Sequence, residues 1–485
     1  MSTPEIKFDT KLQVLKYKVL REVARSAWQE RLLEDIADIP EVIVSGKVPT
    51  MRCCVYKERA ILRERIKLAM GGDQANPNVI EVISMACDEC PAAGYEVSDA
   101  CRGCLAHRCA DACRRGAITF DRNHVAHIDK EKCVDCGQCA KACQFTAIIN
   151  HKRPCQNSCK AKAISISDDG ICRIDDEKCV QCGSCVYHCP FGAISDKSYI
   201  LNVIDIILGK GLRSNKEKGK IFAIVAPAMA AQFSYAKPGQ VVSAIKALGF
   251  TDVVEAALGA DMVALSEAKE LAEKGFLTSS CCPAFVKYVK NNFPELEKDI
   301  SHNLSPMATL GKYLKENNEH AKVVFIGPCT AKKAEAQLAT VKPYVDVVIT
   351  FEELQALIDS RDIDVKALPE TPLDNASYFG RIFAHTGGLS QAVAKALEEQ
   401  KIDFKAECAV CSGLEECRAA LLKKSKNVLK ADFIEGMACE GGCVEGAGNL
   451  VHYERAGNEV DKFASGSAAE SITSAVNNAK GDKNG

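Results

Sequence analysis

The chain has 485 residues, of which 47% are hydrophobic and 26% charged, and its formal net charge is −2. This composition is ordinary for a soluble globular protein of roughly two to four domains, and the small net charge gives no reason to expect nucleic acid or a membrane as partner. No run approaches the ~18 apolar residues of a membrane span. The first residues lack the apolar core of a signal peptide, so we predict a cytoplasmic protein.

The first 80 residues are poor in cysteine and carry two helical patterns. Apolar residues recur at three- and four-residue steps over 11–36 and again over 57–70, where Gly71 and Gly72 follow. We therefore predict a helical N-terminal extension over 1–80 that packs on the next domain. It contains Cys53 and Cys54, and adjacent thiols cannot easily ligate one cluster.

The chain contains 27 cysteines, an odd number in a long sequence without secretory features. A disulfide framework fits this badly, so clustered thiolates indicate metal ligands, mostly of iron–sulfur clusters. Residues 81–200 hold 17 of the cysteines. Within them a cysteine is followed four times by three residues and Ala-Ile, and then by hairpin-like stretches. The repeat predicts four half-ferredoxin units, which contain Cys113, Cys143, Cys159 and Cys189.

Two of these units have the regular ligand spacing of bacterial ferredoxins. In such a run the first three thiolates bind one [4Fe–4S] cluster and the fourth binds its neighbour. If the two regular units pair, the first cluster is held by Cys133, Cys136, Cys139 and Cys189. The second cluster is then held by Cys179, Cys182, Cys185 and Cys143.

The other two units are irregular, and they leave two interpretations open. By the same crossing rule, a third cluster would use Cys101, Cys104, Cys109 and Cys159. A fourth would combine Cys113 and Cys155 with the pair Cys87 and Cys90. Alternatively, these units keep some cysteines only for packing, which is also our interpretation of Cys172.

Residues 201–220 are basic and contain glycine, so we predict a linker there. Beyond it, 221–230 and 323–329 have the pattern of buried strands, each followed by helix-like sequence. This alternation is typical of an α/β domain with a parallel sheet, whose ligands bind at the carboxyl ends of the strands. The domain is expected over 221–455. A tail over 456–485 follows, frayed or weakly helical from about 466.

Five more cysteines lie in three short segments, SSCCPAF (279–285), GPCTAKKAE (327–335) and MACEGGCVEGAG (437–448). These segments resemble the three signature segments of the [FeFe]-hydrogenase catalytic domain, and the resemblance covers about 221–455. With its cluster-rich N-terminal part, the whole chain is similar to the group B monomeric type. The fold class implied is α+β and α/β multidomain, with a ferredoxin-like iron–sulfur domain at 81–200 and then a two-lobed α/β hydrogenase domain.

The resemblance implies an H-cluster, in which a [4Fe–4S] cluster is joined to a diiron unit that carries CO, cyanide and an azadithiolate. The implied cluster ligands are Cys282, Cys329, Cys439 and Cys443, with Cys443 as the bridge to the diiron unit. The backbone of Ala226, Pro227 and Ala228 would lie against the diiron ligands. Lys332 would donate to a cyanide, whereas we expect Lys333 to face outward and Glu335 to be structural.

A proton path is implied by the same resemblance. Cys281 would pass protons to the bridging amine, and Glu267, Glu270 and Ser301 would lead from this thiol to the surface. Glu267 and Glu270 share a helix face, which is also what a solvated charge pair would do.

The sequence also departs from the family pattern. Phe285 stands where many relatives have Trp, and Gly327 where many have Met. Cys408, Cys411 and Cys417 are not shared with the family, and they could hold a further metal only with an outside ligand.

The implied activity is 2 H⁺ + 2 e⁻ ⇌ H₂, with the N-terminal clusters relaying electrons to or from a ferredoxin, since no flavin or dinucleotide fingerprint is present. The diiron unit would come from maturation proteins. Two alternatives are an H₂ sensor and a non-catalytic iron–sulfur assembly or scaffold protein. Cys281, Lys332 and Cys443 argue against the scaffold, because a protein without the diiron unit does not need them.

Overall fold

The computed structural model describes residues 8–91, 93–210 and 219–481. Within these ranges, no helix is both long enough and apolar enough to cross a membrane.

The N-terminal extension consists of helices. Thr10 and Gln13 form a capping box that starts the first, and the predicted helix over 11–36 is interrupted where Glu30 adopts a positive φ of 58°. The extension also packs more widely than predicted. Trp28 Nε1 donates to Ser360 Oγ at 3.0 Å in the α/β domain, while Arg65 Nη2 donates to Gly192 O at 2.6 Å in the cluster domain. The four helices are α1 (Lys11–Trp28), α2 (Leu32–Asp35), α3 (Ile39–Ile43) and α4 (Val55–Ala69).

The cluster domain is built from short strands and helices. Its elements are β1 (Ile80–Val82), β2 (Gly94–Val97), α5 (Arg108–Asp111), β3 (Ile118–Phe120), β4 (Ala126–Ile128), α6 (Gln138–Ala142), β5 (Ile148–His151), α7 (Pro154–Ser158), β6 (Ile164–Ile166), β7 (Cys172–Ile174), α8 (Ser184–His188) and β8 (Ile194–Asp196). The predicted hairpins form, as β3 pairs with β4 and β6 with β7. Because α5 packs on α6 and α7 on α8, the half-units pair in sequence order and give two ferredoxin-like units.

The linker predicted over 201–220 is wrong in its first half. Helix α9 (Ile200–Leu208) follows the cluster domain directly and buries Ile200, Val203 and Ile204. Its apolar face, rather than the basic residues after it, decides the local structure. The rest of the predicted linker falls largely on 211–218, which lie outside the described residues.

Two parallel sheets form the α/β domain, as the strand pattern predicted. One has the order β10-β9-β12-β13 and the other β11-β15-β14. The elements are β9 (Ile221–Val225), α10 (Pro238–Leu248), β10 (Asp252–Glu255), α11 (Ala256–Lys274), β11 (Leu277–Thr278), α12 (Pro283–Asn292), α13 (Pro306–Asn317), β12 (Lys322–Gly327), α14 (Thr330–Glu335), β13 (Val347–Thr350), α15 (Phe351–Ser360), α16 (Tyr378–Ile382), α17 (Gly388–Glu399), β14 (Cys408–Ser412), α18 (Leu414–Ser425) and β15 (Phe433–Met437).

The C-terminal tail is better ordered than its composition suggested. It forms α19 (Ala456–Ala464) and α20 (Ile472–Lys480). Ile472, Ala475 and Val476 are buried where α20 packs on α11 and α17. Of the two predicted alternatives, frayed or weakly helical, the structure shows a helix in the described residues, because a short apolar stripe attaches it to the domain.

Candidate metal centre

The three cysteine segments of the α/β domain meet in one cavity. They follow β11, β12 and β15 at the carboxyl ends of the two sheets, where a parallel α/β fold places its ligand sites. Cys281, Cys282, Cys329, Cys439 and Cys443 all line this cavity. The fold therefore brings together five thiols from three distant segments.

Local structure explains how the thiols reach the cavity. Cys282 and Cys329 are the N-cap residues of α12 and α14, so each side chain sits at the turn from strand to helix. Gly442 has a φ of 96°, and a Cβ there would lie 2.7 Å from both His385 Cα and Thr386 N. Only glycine allows this close approach, which turns the 439–443 loop into the cavity.

The cavity suits the implied H-cluster. A [4Fe–4S] cluster needs four thiolates, and the cavity has five cysteines, so it can supply all four and leave one thiol free of the cluster. Ala226, Pro227 and Ala228 also line it and leave room for a bulky inorganic group. The donor set and the small lining residues therefore fit a cubane with an attached diiron unit.

Lys332 is the cation of this cavity. Its Nζ donates to Cys281 O at 3.1 Å and to Glu335 Oε2 at 2.6 Å. Burial lowers the pKa of Lys332, but the adjacent Glu335 carboxylate outweighs this effect and leaves the pKa raised. Glu335 therefore keeps the ammonium charged and oriented. The i, i+3 spacing of the two residues in the sequence was a signal for this pair.

Lys333 does not face outward, so that prediction is wrong. Its side chain is fully buried, with Nζ 2.8 Å from Asp196 Oδ2 and 2.7 Å from Glu353 Oε2. Two buried carboxylates compensate the ammonium, which a local sequence pattern cannot show because one of them lies in the cluster domain.

The predicted proton-path residues lie together beside the cavity. Glu267 is 1% exposed on α11, and burial raises its pKa to about 8. Ser301 lies beside it and partly offsets this rise, but its hydroxyl donates to Glu270 Oε2 at 3.1 Å. Glu270 is also 2.8 Å from Lys274 at the exposed edge of the helix. The arrangement leads from a buried carboxyl to the surface.

Cys281 is positioned at the inner end of this arrangement. Burial raises the pKa of its thiol well above the ordinary value, and the nearby Cys282 and Glu267 raise it further. A thiol with a raised pKa holds its proton, while Glu267 has no hydrogen-bond partner for either carboxylate oxygen among the described residues.

Both positions that depart from the family pattern, Phe285 and Gly327, are in close contact with a neighbour. The ring of Phe285 packs so closely on Gly436 that a Cβ there would lie 2.4 Å from it. At Gly327 a Cβ would meet the Phe325 ring at 2.6 Å, and Phe325 itself lines the cavity. Each aromatic ring occupies the space that a larger neighbour would need.

In the cluster domain, the crossing of ligands occurs between different units from those we predicted. Burial raises the pKa of Cys109, and the nearby thiols of Cys104 and Cys143 raise it further; the pKa of Cys139 is raised by burial and by Cys133 and Cys113. The pKa of Cys159 is raised by burial and by the nearby Cys179, and that of Cys90 by burial and by Cys189, Cys87 and Cys155. When Cys101 and Cys136 are added from the ligand spacing, these proximities indicate four groups of four: Cys101, Cys104, Cys109 and Cys143; Cys133, Cys136, Cys139 and Cys113; Cys179, Cys182, Cys185 and Cys159; Cys87, Cys90, Cys155 and Cys189.

The predicted ligand sets are therefore wrong, although the same 16 cysteines still divide into four groups. The fourth cysteine of each run points to the neighbouring run of the same ferredoxin-like unit. The prediction pairs the two regular runs with each other, but they belong to different ferredoxin-like units. Short hairpins join neighbouring half-units, so pairing in sequence order requires no long connection.

The Cys-x3-Ala-Ile repeat has a structural reason. The backbone N–H of the alanine donates to the cysteine sulfur at 3.3 Å in Ala117 and Ala163, and at 3.2 Å in Ala193. All three alanines are nearly fully buried. Hydrogen bonds to cluster sulfurs help to set the reduction potential.

One of the four groups lies next to the cavity. Cys182 and Cys439 line the same neighbouring cavity, and Thr330 Oγ1, next to Cys329, donates to Gln181 O, next to Cys182, at 2.9 Å. The group around Cys179 therefore adjoins the cavity. At the distal end of the domain, Cys104 and Cys136 are exposed.

Cys408, Cys411 and Cys417 do not form one group. Cys411 and Cys417 are buried in contact, whereas Cys408 packs in a different apolar cluster on the other face of β14. Among the described residues, no set of three or more His, Cys, Asp or Glu side chains is arranged for a single metal ion.

Comparisons with known proteins agree with this site. Residues 219–447 match the family model described as iron only hydrogenase large subunit, C-terminal domain. In this part the chain is [FeFe]-hydrogenase-like. Residues 173–195 match a 4Fe-4S binding domain and residues 100–147 a 4Fe-4S dicluster domain. The second match coincides with the first ferredoxin-like unit of the structure. The cofactors supported are [4Fe–4S] clusters and an H-cluster.

The hydrogenase-like chain is only distantly similar to individual relatives. It is 29% identical to iron hydrogenase 1 of Clostridium pasteurianum over an alignment of 259 residues. The match covers 43% of this chain and 45% of that protein. It is 34% identical to the cytosolic Fe-S cluster assembly factor NAR1 of Botryotinia fuckeliana over 25% of either chain. The match to the Clostridium protein thus spans less than half of that relative's length.

A solved structure of the [FeFe]-hydrogenase HydA1 from Chlamydomonas reinhardtii is also similar. The identity is 21% and the TM-score 0.45, and the match covers 56% of this chain and 89% of that one.

Proposed function

We propose that this chain is an enzyme that interconverts H₂ with two protons and two electrons, as a cytoplasmic [FeFe]-hydrogenase of the group B monomeric type. Its N-terminal clusters would relay electrons to or from a ferredoxin, and maturation proteins would supply the diiron unit. The observation that carries the proposal is the position of Cys281. This thiol lines the cavity beside four possible cluster ligands and is also next to Glu267.

The residues of the cavity have distinct roles in this proposal. Cys282, Cys329, Cys439 and Cys443 would hold the H-cluster, with Cys443 as the bridge. The bound group supplies the redox chemistry of hydrogen. Lys332 would donate a hydrogen bond to an anionic ligand of that group, since an ammonium has three donors, and Glu335 and the Cys281 carbonyl use only two of them.

The chain itself would move the proton. Cys281 holds a proton on its sulfur because burial disfavours the thiolate. Glu267, whose pKa is raised to about 8 by burial, exchanges protons near neutral pH. Ser301 and Glu270 continue from there to the exposed edge of α11. Such a path would connect the cavity to solvent through the side chains of the chain itself.

The four cysteine groups would form the electron path. The group around Cys179 adjoins the cavity, and Cys104 and Cys136 are exposed at the far end of the domain. A redox protein that docks there would reach the distal clusters first. A small ferredoxin suits this role, because the motifs of the chain include no flavin or dinucleotide fingerprint.

A second candidate function is iron–sulfur assembly without hydrogen chemistry. It is favoured by the 34% identity to an assembly factor named NAR1 over 142 residues. Three residues distinguish the two functions, since an assembly protein that holds only cubanes needs neither the thiol of Cys281, nor Lys332, nor a bridging Cys443.

Infrared spectroscopy after maturation with the diiron cofactor tests the proposal. We expect CO and cyanide bands together with H₂ production from a chemical reductant. Cys281→Ala should keep the bands and lose turnover, whereas Cys53→Ala, which changes an exposed thiol far from the cavity, should keep both. A matured wild-type protein without the bands would contradict the hydrogenase proposal and support the assembly function.

A further inference from the structure

Two buried arginines lie near the cysteine group formed by Cys87, Cys90, Cys155 and Cys189. The cavity of the proposed activity has a lysine instead. Arg65 is 6% exposed and Arg153 is 4% exposed. Arginine is almost never fully buried unless a negative charge compensates it. Each of these two arginines therefore needs a negatively charged partner.

Carbonyl groups, and no carboxylates, are the oxygen partners of both arginines. Arg65 Nη2 donates to Gly192 O at 2.6 Å, and its Nε is buried without a partner among the described residues. Arg153 donates to Pro91 O at 3.2 Å and to Gly170 O at 2.6 Å. Within the described ranges, neither makes an ion pair with an acidic side chain.

Both arginines lie against the cysteine group. Arg153 Nη1 is 3.9 Å from Cys87 Sγ. The Gly192 carbonyl that Arg65 binds is three residues after Cys189, and the Gly192 N–H donates to Cys189 O at 3.1 Å. One arginine therefore lies on the Cys87 side of the group and the other on the Cys189 side.

Arg52 provides an internal comparison in the same region. Its side chain is 7% exposed, but Nη1 lies 3.0 Å from Glu89 Oε2, so its charge has a local partner. Lys332 at the cavity is paired in the same way with Glu335 at 2.6 Å. Arg65 and Arg153 differ from both because their charges remain uncompensated by side-chain carboxylates.

We propose that Arg65 and Arg153 are the counter-charges of a [4Fe–4S] cluster held by Cys87, Cys90, Cys155 and Cys189, and that they make it the most easily reduced of the four N-terminal clusters. A cubane with four thiolates is anionic, and reduction adds one more negative charge. Cations nearby stabilise the reduced form, so they raise the reduction potential. Backbone N–H groups of Cys172 and Ala193 add hydrogen bonds to Cys87 Sγ and Cys189 Sγ at 3.4 and 3.2 Å.

This cluster would store an electron within the path. Cys155 belongs to this group and packs in the same buried cluster as Cys185, which belongs to the group that adjoins the cavity. A cluster that is reduced first would hold one electron close to the cavity while a second arrives, and H₂ formation needs two. The inference rests on the proposed electron path, but the potential of the cluster can be measured whether or not the protein produces H₂.

A redox titration of the full-length protein, followed by electron paramagnetic resonance, tests the proposal. The component with the most positive midpoint should disappear in Cys90→Ala. In Arg65→Gln and in Arg153→Gln it should shift to lower potential. We expect at least a tenfold change in the ratio of reduced to oxidised cluster at fixed potential, which is about 59 mV for a one-electron couple.

Two further variants separate charge from structure. Arg65→Lys should retain most of the wild-type midpoint, and Arg52→Gln should shift it much less than Arg65→Gln, since Glu89 already offsets that charge. Iron content is measured on every variant. The proposal is wrong if Arg65→Gln and Arg153→Gln contain full iron and keep the wild-type midpoint, or if the most positive component survives in Cys90→Ala.

An anion bound in the neighbouring cavity is the competing source of compensation. Arg52, Arg65 and Cys189 line a cavity of about 540 Å³ between the N-terminal helices and the cluster domain. The wild-type titration is therefore repeated with and without inorganic phosphate. A midpoint that does not depend on phosphate supports the cluster as the counter-charge, whereas a phosphate-dependent midpoint overturns it. Absence of H₂ turnover would contradict only the proposed function.

Discussion

Glu267 and Glu270 are three residues apart on one helix, yet their environments differ strongly. Burial raises the pKa of Glu267 to about 8. Burial acts on Glu270 as well, but hydrogen bonds from Lys274, the His302 N–H and Ser301 outweigh it and lower the pKa. The inner carboxyl, Glu267, can therefore hold a proton at neutral pH while the outer one, Glu270, is ionised. The spacing of the two residues in the sequence does not show this difference in protonation.

Glu267→Gln should reduce H₂ turnover by about 10²–10⁴-fold, because the amide cannot exchange a proton with Cys281. The CO and cyanide bands should remain. The measurement is H₂ evolution from a chemical reductant at saturating concentration, with infrared spectra of the same samples. Glu273→Gln is the control, since Glu273 is exposed on the same helix. Wild-type turnover in Glu267→Gln would remove this residue from the proton path.

The raised pKa of Glu267 also predicts a pH dependence of stability. Its pKa in the folded state, about 8, is above the ordinary value of 4.5, so the folded protein binds the proton more tightly. The resulting stabilisation is complete below about pH 4.5 and is lost as the pH rises through about 8. Between pH 6 and pH 9, the free energy of unfolding should therefore fall more steeply in the wild type than in Glu267→Gln. Parallel slopes in urea titrations would contradict this.

At the scale of elements, the packing of β15 against α12 requires a glycine at position 436. A Cβ at Gly436 would lie 2.4 Å from the buried Phe285 ring. The ring cannot shift freely, because Phe285 is 0% exposed and packed in an apolar cluster with Tyr288 and Leu421. The strand and α12 are thus in closer contact than two ordinary side chains would permit, and this contact positions the cysteines that follow β11 and β15.

Gly436→Ala should lower the free energy of unfolding by about 1–3 kcal/mol through overpacking. Phe285→Leu in the same chain should recover part of this loss, since the smaller side chain makes room. Gly457→Ala is the matched control, because the nearest atom to a Cβ there is 4.0 Å away. Urea unfolding of all four proteins gives the comparison, and equal stability of Gly436→Ala and wild type would contradict the steric argument.

At this scale, the sequence predicts those features that are determined by contacts between residues close together in the chain. The hairpins and the strands before the cysteine segments are encoded by short patterns, and the structure confirms them. The partner of each half-ferredoxin unit is not local. Regular spacing indicates that Cys133 and Cys179 begin ligand runs, but it contains no information about which run supplies the fourth ligand. Chain connectivity decides this, through the hairpins that join adjacent half-units.

At the scale of the whole molecule, buried charges join the three parts of the chain. Asp196 of the cluster domain lies 2.6 Å from Lys16 of α1 and 2.8 Å from Lys333 of the α/β domain. Lys333 is also 2.7 Å from Glu353. Asp196 has both of these partners on other parts of the chain, so its charge is fully compensated only when the three parts are assembled. This explains why local sequence patterns misplaced Lys333.

Lys333→Met should destabilise the protein by about 3–5 kcal/mol, since two buried carboxylates lose a shared cation. Adding Glu353→Gln should reduce the penalty, because Glu353 loses its ion-pair partner whereas Asp196 keeps Lys16. Lys322→Met, which changes a more exposed lysine paired with Asp346, should have a much smaller effect. A double-mutant cycle from urea unfolding provides the coupling energy, and additivity of the two changes would contradict a shared network.

The electron path makes a prediction that spans the full length of the molecule. Cys136 is an exposed cysteine in the distal ferredoxin-like unit, whereas the proposed site of hydrogen chemistry lies in the α/β domain. Cys136→Ala should remove iron from the distal unit and slow the H₂-dependent reduction of a ferredoxin. Exchange between D₂ and solvent protons needs no electron from outside, so it should stay near the wild-type rate. Cys53→Ala should change neither rate. If Cys136→Ala loses distal iron but reduces ferredoxin at the wild-type rate, electrons enter the chain elsewhere.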